Sequence, residues 1–349
     1  MQIFTKLSAV KPTVVYDTYW KFAVERQEIF FRRFRGESPP WTNDAILTEH
    51  KFTNAYRASD RASQYLIKNV IYRGEQTPEE VFFRCMLFKI FNRISTWELL
   101  EAELGEVLYS TYSFARYDKI LEQAKSRGER IFSAAYIMPT HATGFNHSAK
   151  HRNYLAILEK MMAENVPSKL TGLKSMASAF ELLLSYPLMG NFLAYQFVTD
   201  INYSTITNFS EMEFVVAGPG AKDGIRKCFA TTGGLNEADA IKFVADRQNE
   251  EFARLGLDFR SLWGRPLQLI DCQNLFCEVD KYARLAHPEI RGITGRTRIK
   301  QKFTANSQPI LYWFPPKCAL DTHIRPVVHS KPLSQTNVNN STPQLGMGF

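Results

Sequence analysis

Apolar residues recur at three- and four-residue spacings along most of the chain, the period of a helix that buries one stripe. The pattern predicts helices over residues 16–34, 50–72, 117–126, 147–163, 170–185, 236–254 and 271–285. Start signals mark further helices. Thr77-Pro78-Glu79-Glu80 offers a capping hydroxyl, a proline at the first helical position and a glutamate placed to close a capping box. Ser95-Thr96-Trp97-Glu98 and Ser210-Glu211-Met212-Glu213 repeat the Ser-x-x-Glu form. Period-two runs are few and brief, so the expected fold is an all-α globule whose helices bury their stripes against one another. From Lys331 to Phe349 the chain turns polar and poor in apolar residues, too poor to offset its ordering entropy. One helical domain over residues 1–330 and a disordered tail over 331–349 are expected. No repeat of fixed period is visible.

Of the 349 residues, 45% are hydrophobic and 13% aromatic, which is ample for a buried core and excludes a wholly disordered chain. Forty-three Lys plus Arg against 35 Asp plus Glu leave a net charge of +8, a bias toward anionic partners such as nucleic acid or phosphorylated ligands. The longest apolar stretches are soon broken by polar residues, as 179–184 is by Glu181, and fall far short of the roughly 20 residues of a membrane span. Residues 1–13 carry Lys6 and Lys11 and lack the apolar stretch of a secretory leader, so the chain reads as soluble and intracellular. Cys85, Cys228, Cys272, Cys277 and Cys318 are odd in number and scattered, which suits buried thiols in a reducing compartment. Cys272 and Cys277 have no second pair nearby to complete a zinc site.

The sequence lacks GxxxxGK[ST], HExxH, GxSxG and paired CxxC clusters. Four local patterns remain. Val216-Ala217-Gly218-Pro219-Gly220-Ala221-Lys222-Asp223-Gly224-Ile225-Arg226-Lys227 reads either as a hairpin between a short helix and a cationic one or as an ordinary turn. In the first case Gly218 and Gly220 let the next helix aim its N–H groups at a DNA phosphate, with Lys222, Arg226 and Lys227 adding charge. In the second the glycines supply positive φ. On a helix over 271–285, Asp271, Asn274 and Glu278 share one side, as do Cys277, Lys281 and Arg284, and a Glu278–Lys281 ion pair is the plainest outcome. Asn54, Arg57 and Arg61 would share a helical side where cations could meet phosphate, unless Arg57 pairs with Asp60. Asp200 ends an otherwise apolar helix, where negative charge is disfavoured, so a cation or ligand must compensate it or an Asx-turn must close the helix there. His147 and His151 are four apart but have no evident third ligand, which makes them surface or hydrogen-bonded histidines. No metal and no cofactor are predicted.

One ordered set of short motifs resembles a known family. It comprises Pro39-Pro40-Trp41-Thr42-Asn43-Asp44-x-Ile46-Leu47, Phe52-Thr53-Asn54-x-Tyr56-Arg57-x-x-Asp60-Arg61, Phe88-Lys89-x-Phe91-Asn92, Gly190-x-Phe192-x-Ala194-Tyr195-Gln196-x-x-x-Asp200, Ala217-Gly218-Pro219-Gly220-Ala221 and Cys277-Glu278-x-Asp280-Lys281-Tyr282. Together they resemble the helical domain family of 5-hydroxymethyluracil DNA kinases and the related amino acid:DNA transferases, also described as α-glutamyl/putrescinyl thymine pyrophosphorylases. The resemblance spans about 16–314 and implies a fold distantly like the helix-hairpin-helix DNA glycosylases. It also implies phage-related thymine hypermodification, in which an extruded base reacts at its 5-methylene carbon with an amino acid or polyamine that replaces a phosphate.

By the same resemblance, Arg57, Lys281 and Arg284 would hold phosphate, Asp200 or Glu278 would be the base and Asp280 its orienting partner, with Arg61 and the hairpin residues on DNA. Kinase members join this helical domain to a P-loop domain that is missing here, so a separate P-loop kinase is the implied partner. Two other functions fit the same residues. One is a glycosylase-like hydrolase using Asp271 or Asp200, and the other is a non-catalytic DNA-binding module.

Overall fold

In a computed structural model of the protein, residues 9–135, 138–139, 147–305 and 311–320 are described. The expected tail over 331–349 lies outside them. The described residues form fourteen α-helices. They are α1 (Val14–Phe34), α2 (Ala45–Glu49), α3 (Arg61–Tyr65), α4 (Pro78–Phe91), α5 (Ile94–Leu104), α6 (Phe114–Ser126), α7 (Lys150–Ala163), α8 (Val166–Gly172), α9 (Met176–Leu184), α10 (Asn191–Ile201), α11 (Pro219–Cys228), α12 (Glu237–Asp246), α13 (Gln248–Arg254) and α14 (Leu269–Ala286). The only sheet among them pairs β1 (Lys11–Pro12) antiparallel with β2 (Phe229–Thr231). Thr13 then starts α1, its hydroxyl accepting from Val15 N at 3.1 Å and donating to Lys227 O at 2.5 Å. No helix is long and apolar enough to cross a membrane among the described residues.

Two helices organise the packing. α14 lies against α1, α2, α11 and α12, and α4 lies against α5, α7, α8 and α10. Almost every residue of α4 is buried, charged ones included, so no single stripe marks it. Glu80 is an example: it leaves the capping box expected at Thr77 unmade and instead accepts from Tyr109 N at 2.7 Å and Ser110 N at 2.9 Å. The five cysteines are all free, and four of them are buried.

Where predicted helices fail, tertiary bonds have taken the backbone. The helix expected over 50–72 is broken up: residues 51–56 are irregular, Arg57–Ser59 is a 3-10 turn and Leu66–Ile71 is π-helical. Thr53 N, Asn54 N and Arg57 N donate to carboxylates of Glu278, Asp60 and Asp271 instead of to a helical ladder. The 236–254 helix divides at Arg247, where Gln248 Nε2 caps Ala245 O at 2.8 Å and Gln248 Oε1 accepts from Leu267 N. The 170–185 helix divides before Ser175, which caps α9 through Ser178 N. Residues 211–213 form only a turn, not the helix their Ser-x-x-Glu text suggests.

Candidate functional site

The irregular loop 52–57 is fastened from several sides. Glu278 Oε2 accepts from Thr53 N at 2.9 Å, Asp60 Oδ1 from Asn54 N at 2.8 Å and Asp271 Oδ1 from Arg57 N at 2.7 Å. Asp271 also closes a capping box at the start of α14, its Oδ2 accepting from Gln268 N. On the carbonyl side, Arg26 donates to Thr53 O, Phe52 O and the Asn54 side chain. So held, the loop sends the Arg57 side chain inward. Its guanidinium lies 2.5 Å from Asp200 Oδ1 and 3.1 Å from Gln196 Oε1, and Lys89 Nζ lies 2.7 Å from Asp200 Oδ2.

These two cations compensate the carboxylate that ends α10, and Arg57 pairs with Asp200 rather than with Asp60. Arg57 is 4% exposed, Lys89 3% and Asp200 1%. Burial alone would raise the Asp200 carboxyl, but the charges of Arg57 and Lys89 outweigh it and hold the group below the ordinary carboxylate range. Asp200 therefore stays ionised inside the fold, joining α4, α10 and the 52–57 loop. Lys89 and Gln196 lie within the motifs quoted above, yet their joint approach to Arg57 depends on tertiary packing that local spacing does not encode.

A second buried carboxylate joins α11 to α14. Asp280 receives Lys227 Nζ at 2.9 Å on Oδ1 and Arg284 Nη2 at 2.5 Å on Oδ2. Arg284 also donates to Arg298 O at 3.0 Å. The glycines beside this clamp serve close approach. A Cβ at Gly224 would overlap the Phe276 carbonyl, one at Gly220 would overlap the Cys277 sulfur, and one at Gly218 would come within 2.7 Å of the Phe192 ring. Gly218 has φ −72°, and neither it nor Gly220 is among the positive-φ glycines, so the positive-φ turn is not what these glycines supply. No helix precedes them, because residues 214–217 are irregular. Lys222 is exposed and 3.6 Å from Glu237, while Arg226 and Arg61 are exposed without an ion pair among the described residues.

Glu278 and Lys281 form the charge pair of α14 that reaches solvent, at 2.8 Å with side chains 11% and 15% exposed. Lys281 Nζ sits 4.4 Å over the Phe52 ring. Both hydrogen bonds to the Glu278 carboxylate fall on Oε2, and Oε1 accepts none among the described residues. One turn on, Tyr282 donates to Asp44 Oδ2 at 2.6 Å beside a cleft of about 490 Å³ between α1, α2 and α14. His151 is buried with Nε2 2.7 Å from Asp118 Oδ1, and Glu122 completes a set of three ligand-type groups missed by the sequence reading. Arg152 occupies the same carboxylates, at 2.7 Å from Asp118 and 3.6 Å from Glu122, and the exposed His147 is not part of the set.

Asp60 and Asp271 carry a pH signature. Burial pushes each carboxyl from 3.8 up to about 7, against the backbone N–H groups that bond it. For Asp60 the nearby Glu278 charge adds to the rise. Between those values the folded protein holds protons that the unfolded chain has released, so their contribution to stability falls as the pH rises toward 7. The urea midpoint is expected to drop from pH 5 to pH 8, and to drop less in Asp60→Asn and Asp271→Asn. An unchanged slope in both variants would contradict this assignment.

The family model described as "5-hmdU DNA kinase, helical domain" matches residues 13–292. The chain belongs to that family. The match begins at the cap of α1 and ends past α14, so it takes in both buried clamps and the Glu278–Lys281 pair. A 5-hmdU DNA kinase of Bacillus phage SP10 is 26% identical over 290 residues, covering 77% of this chain and 45% of the relative. The chain thus spans less than half the length of that phage protein. No solved structure matches.

Proposed function

We propose that the chain acts in thymine hypermodification of DNA, replacing a phosphate on the 5-methylene of a 5-hydroxymethyluracil derivative with an amino acid or polyamine. The family match over residues 13–292 supports the DNA base as substrate class. The observation that carries the chemistry is the Glu278–Lys281 pair, a carboxylate and an ammonium side by side at the surface end of a buried frame. In the transfer, a nitrogen–carbon bond forms at the methylene while the carbon–oxygen bond to phosphate breaks, and the phosphate leaves with the electron pair. Glu278 Oε1 takes a proton from the incoming ammonium, freeing the amine lone pair that attacks the methylene, and Lys281 neutralises charge on the departing oxygen. Phosphorylation of the base is left to a P-loop kinase domain, whose GxxxxGK[ST] motif does not occur in these 349 residues. Asp200 and Asp280 serve as the frame on this reading, being buried between cations.

The test compares Glu278→Gln and Lys281→Gln with the parent on DNA bearing phosphorylated 5-hydroxymethyluracil. Each is expected to lower product formation on the order of 100-fold or more, with DNA affinity within about twofold. Equal turnover in both variants would remove the pair from the chemistry.

A further inference from the structure

The segment after α14 carries a cluster of charge that none of the motifs above includes. Residues 291–302 hold Arg291, Arg296, Arg298, Lys300 and Lys302 and no acidic residue. All five cations are exposed. Arg291, Arg296, Arg298 and Lys300 make no ion pair among the described residues, and Lys302 pairs with Glu49. The family match stops at residue 292, so all of these cations but Arg291 lie beyond it.

The segment is also pinned. At one end the Thr294 N–H and hydroxyl both donate to Asp223, itself 1% exposed, and a Cβ on Gly292 would come within 2.8 Å of that carboxylate. In the middle Arg284 holds Arg298 O. At the other end Lys51 N donates to Gln301 O at 3.0 Å and Phe303 N to Glu49 O at 2.9 Å, an antiparallel bridge between His50 and Lys302. From Gly295 to Gln301 the chain has neither helix nor turn, and Ile299 is buried between exposed Arg298 and Lys300. Arg296, Arg298, Lys300 and Lys302 stand at alternate positions, all exposed, and a stretch of that length spans at most roughly 20 Å when extended. One DNA strand carries a phosphate per 3.4 Å of axis, so a row of that length faces about six phosphates. Fixing the backbone beforehand lowers the ordering cost of meeting them.

We propose that the strap 291–302 is a DNA-backbone contact surface, with Arg291, Arg296, Arg298 and Lys300 as its phosphate ligands. The inference rests on the DNA reading above and adds to it the surface that holds the duplex. It assigns non-specific affinity to the strap and leaves α11, whose glycines are committed to packing, outside that role.

The experiment measures binding of the full chain to an unmodified 20-base-pair duplex by fluorescence anisotropy across a series of NaCl concentrations. It compares the parent, Arg291→Gln/Arg296→Gln/Arg298→Gln/Lys300→Gln and Lys222→Gln/Arg226→Gln. With about 0.9 of salt slope per phosphate contact, the fourfold variant is expected to lose roughly 3.6 from the slope and at least about 100-fold in affinity at 0.1 M salt. Its melting temperature should stay within about 2 °C of the parent, since the four side chains are exposed and unpaired. A fourfold variant with the parent's slope would overturn the proposal, as would a Lys222→Gln/Arg226→Gln variant that loses as much per charge. Loss confined to anionic vesicles, with duplex binding retained, would reassign the strap to a lipid surface and overturn it too. A parent chain that binds no duplex at all would contradict the DNA reading itself, and the strap with it.

Discussion

Asp200→Asn is expected to lose roughly 3–5 kcal/mol of folding free energy, the usual cost of removing one partner from a buried ion pair. The amide keeps the shape but leaves the Arg57 and Lys89 charges facing a neutral group at a site 1% exposed. At about 2 °C per kcal/mol for a chain of this size, the melting temperature should fall by about 6–10 °C. The pH dependence has a definite sign. The Asp200 carboxyl is held below its ordinary value, so its contribution is fully present above about pH 4 and disappears as the pH falls through the lowered pKa. The variant should therefore lose part of the parent's acid sensitivity. Near-normal melting combined with lost turnover would instead make Asp200 a catalytic group, contrary to the frame role proposed here.

Gly224→Ala is the second large effect. The added methyl would overlap the carbonyl of Phe276, a backbone atom inside α14, so no side-chain rotation can relieve the clash. α11 and α14 must move apart across the seam that Lys227, Asp280 and Arg284 clamp, at an expected cost of about 3 kcal/mol or more. Gly220→Ala differs in kind, since its methyl meets the sulfur of Cys277. Its cost of about 1–3 kcal/mol should shrink in Gly220→Ala/Cys277→Ala, because the obstructing atom is gone. Denaturant unfolding of the four proteins checks both. If Gly220→Ala instead kept its stability and lost DNA affinity, the glycine would be a phosphate cradle and not a packing residue.

The helical class was legible because α1, α6, α7 and α14 each carry a period of their own, and they start and end within three residues of where that periodicity puts them. The oddity of Asp200 was legible too, since a carboxylate at the C-terminus of an apolar helix calls for a compensating charge, a ligand or an Asx-turn. Which charge was not. Lys89 sits in a helix buried on nearly all sides, and Arg57 in a loop whose backbone is held by residues more than two hundred positions away. Local periodicity carries no information about such pairings, so the 52–57 loop read as helix. The glycines of 218–224 were visible as an anomaly, but their packing was not: Gly218 lies against Phe192 of α10, and Gly220 and Gly224 lie against α14. Lys281 and Glu278 read correctly as a pair because a helix places i and i+3 side by side whatever surrounds it.

The measurement that bears most directly on the proposed function is nucleoside mass spectrometry of DNA containing 5-hydroxymethyluracil or its phosphorylated form, incubated with the full chain and a pool of amino acids and polyamines. The proposal predicts a mass gain on the modified thymine that requires the phosphorylated base and names the amine by its mass. Unchanged nucleosides, or abasic sites in place of a new adduct, would contradict it.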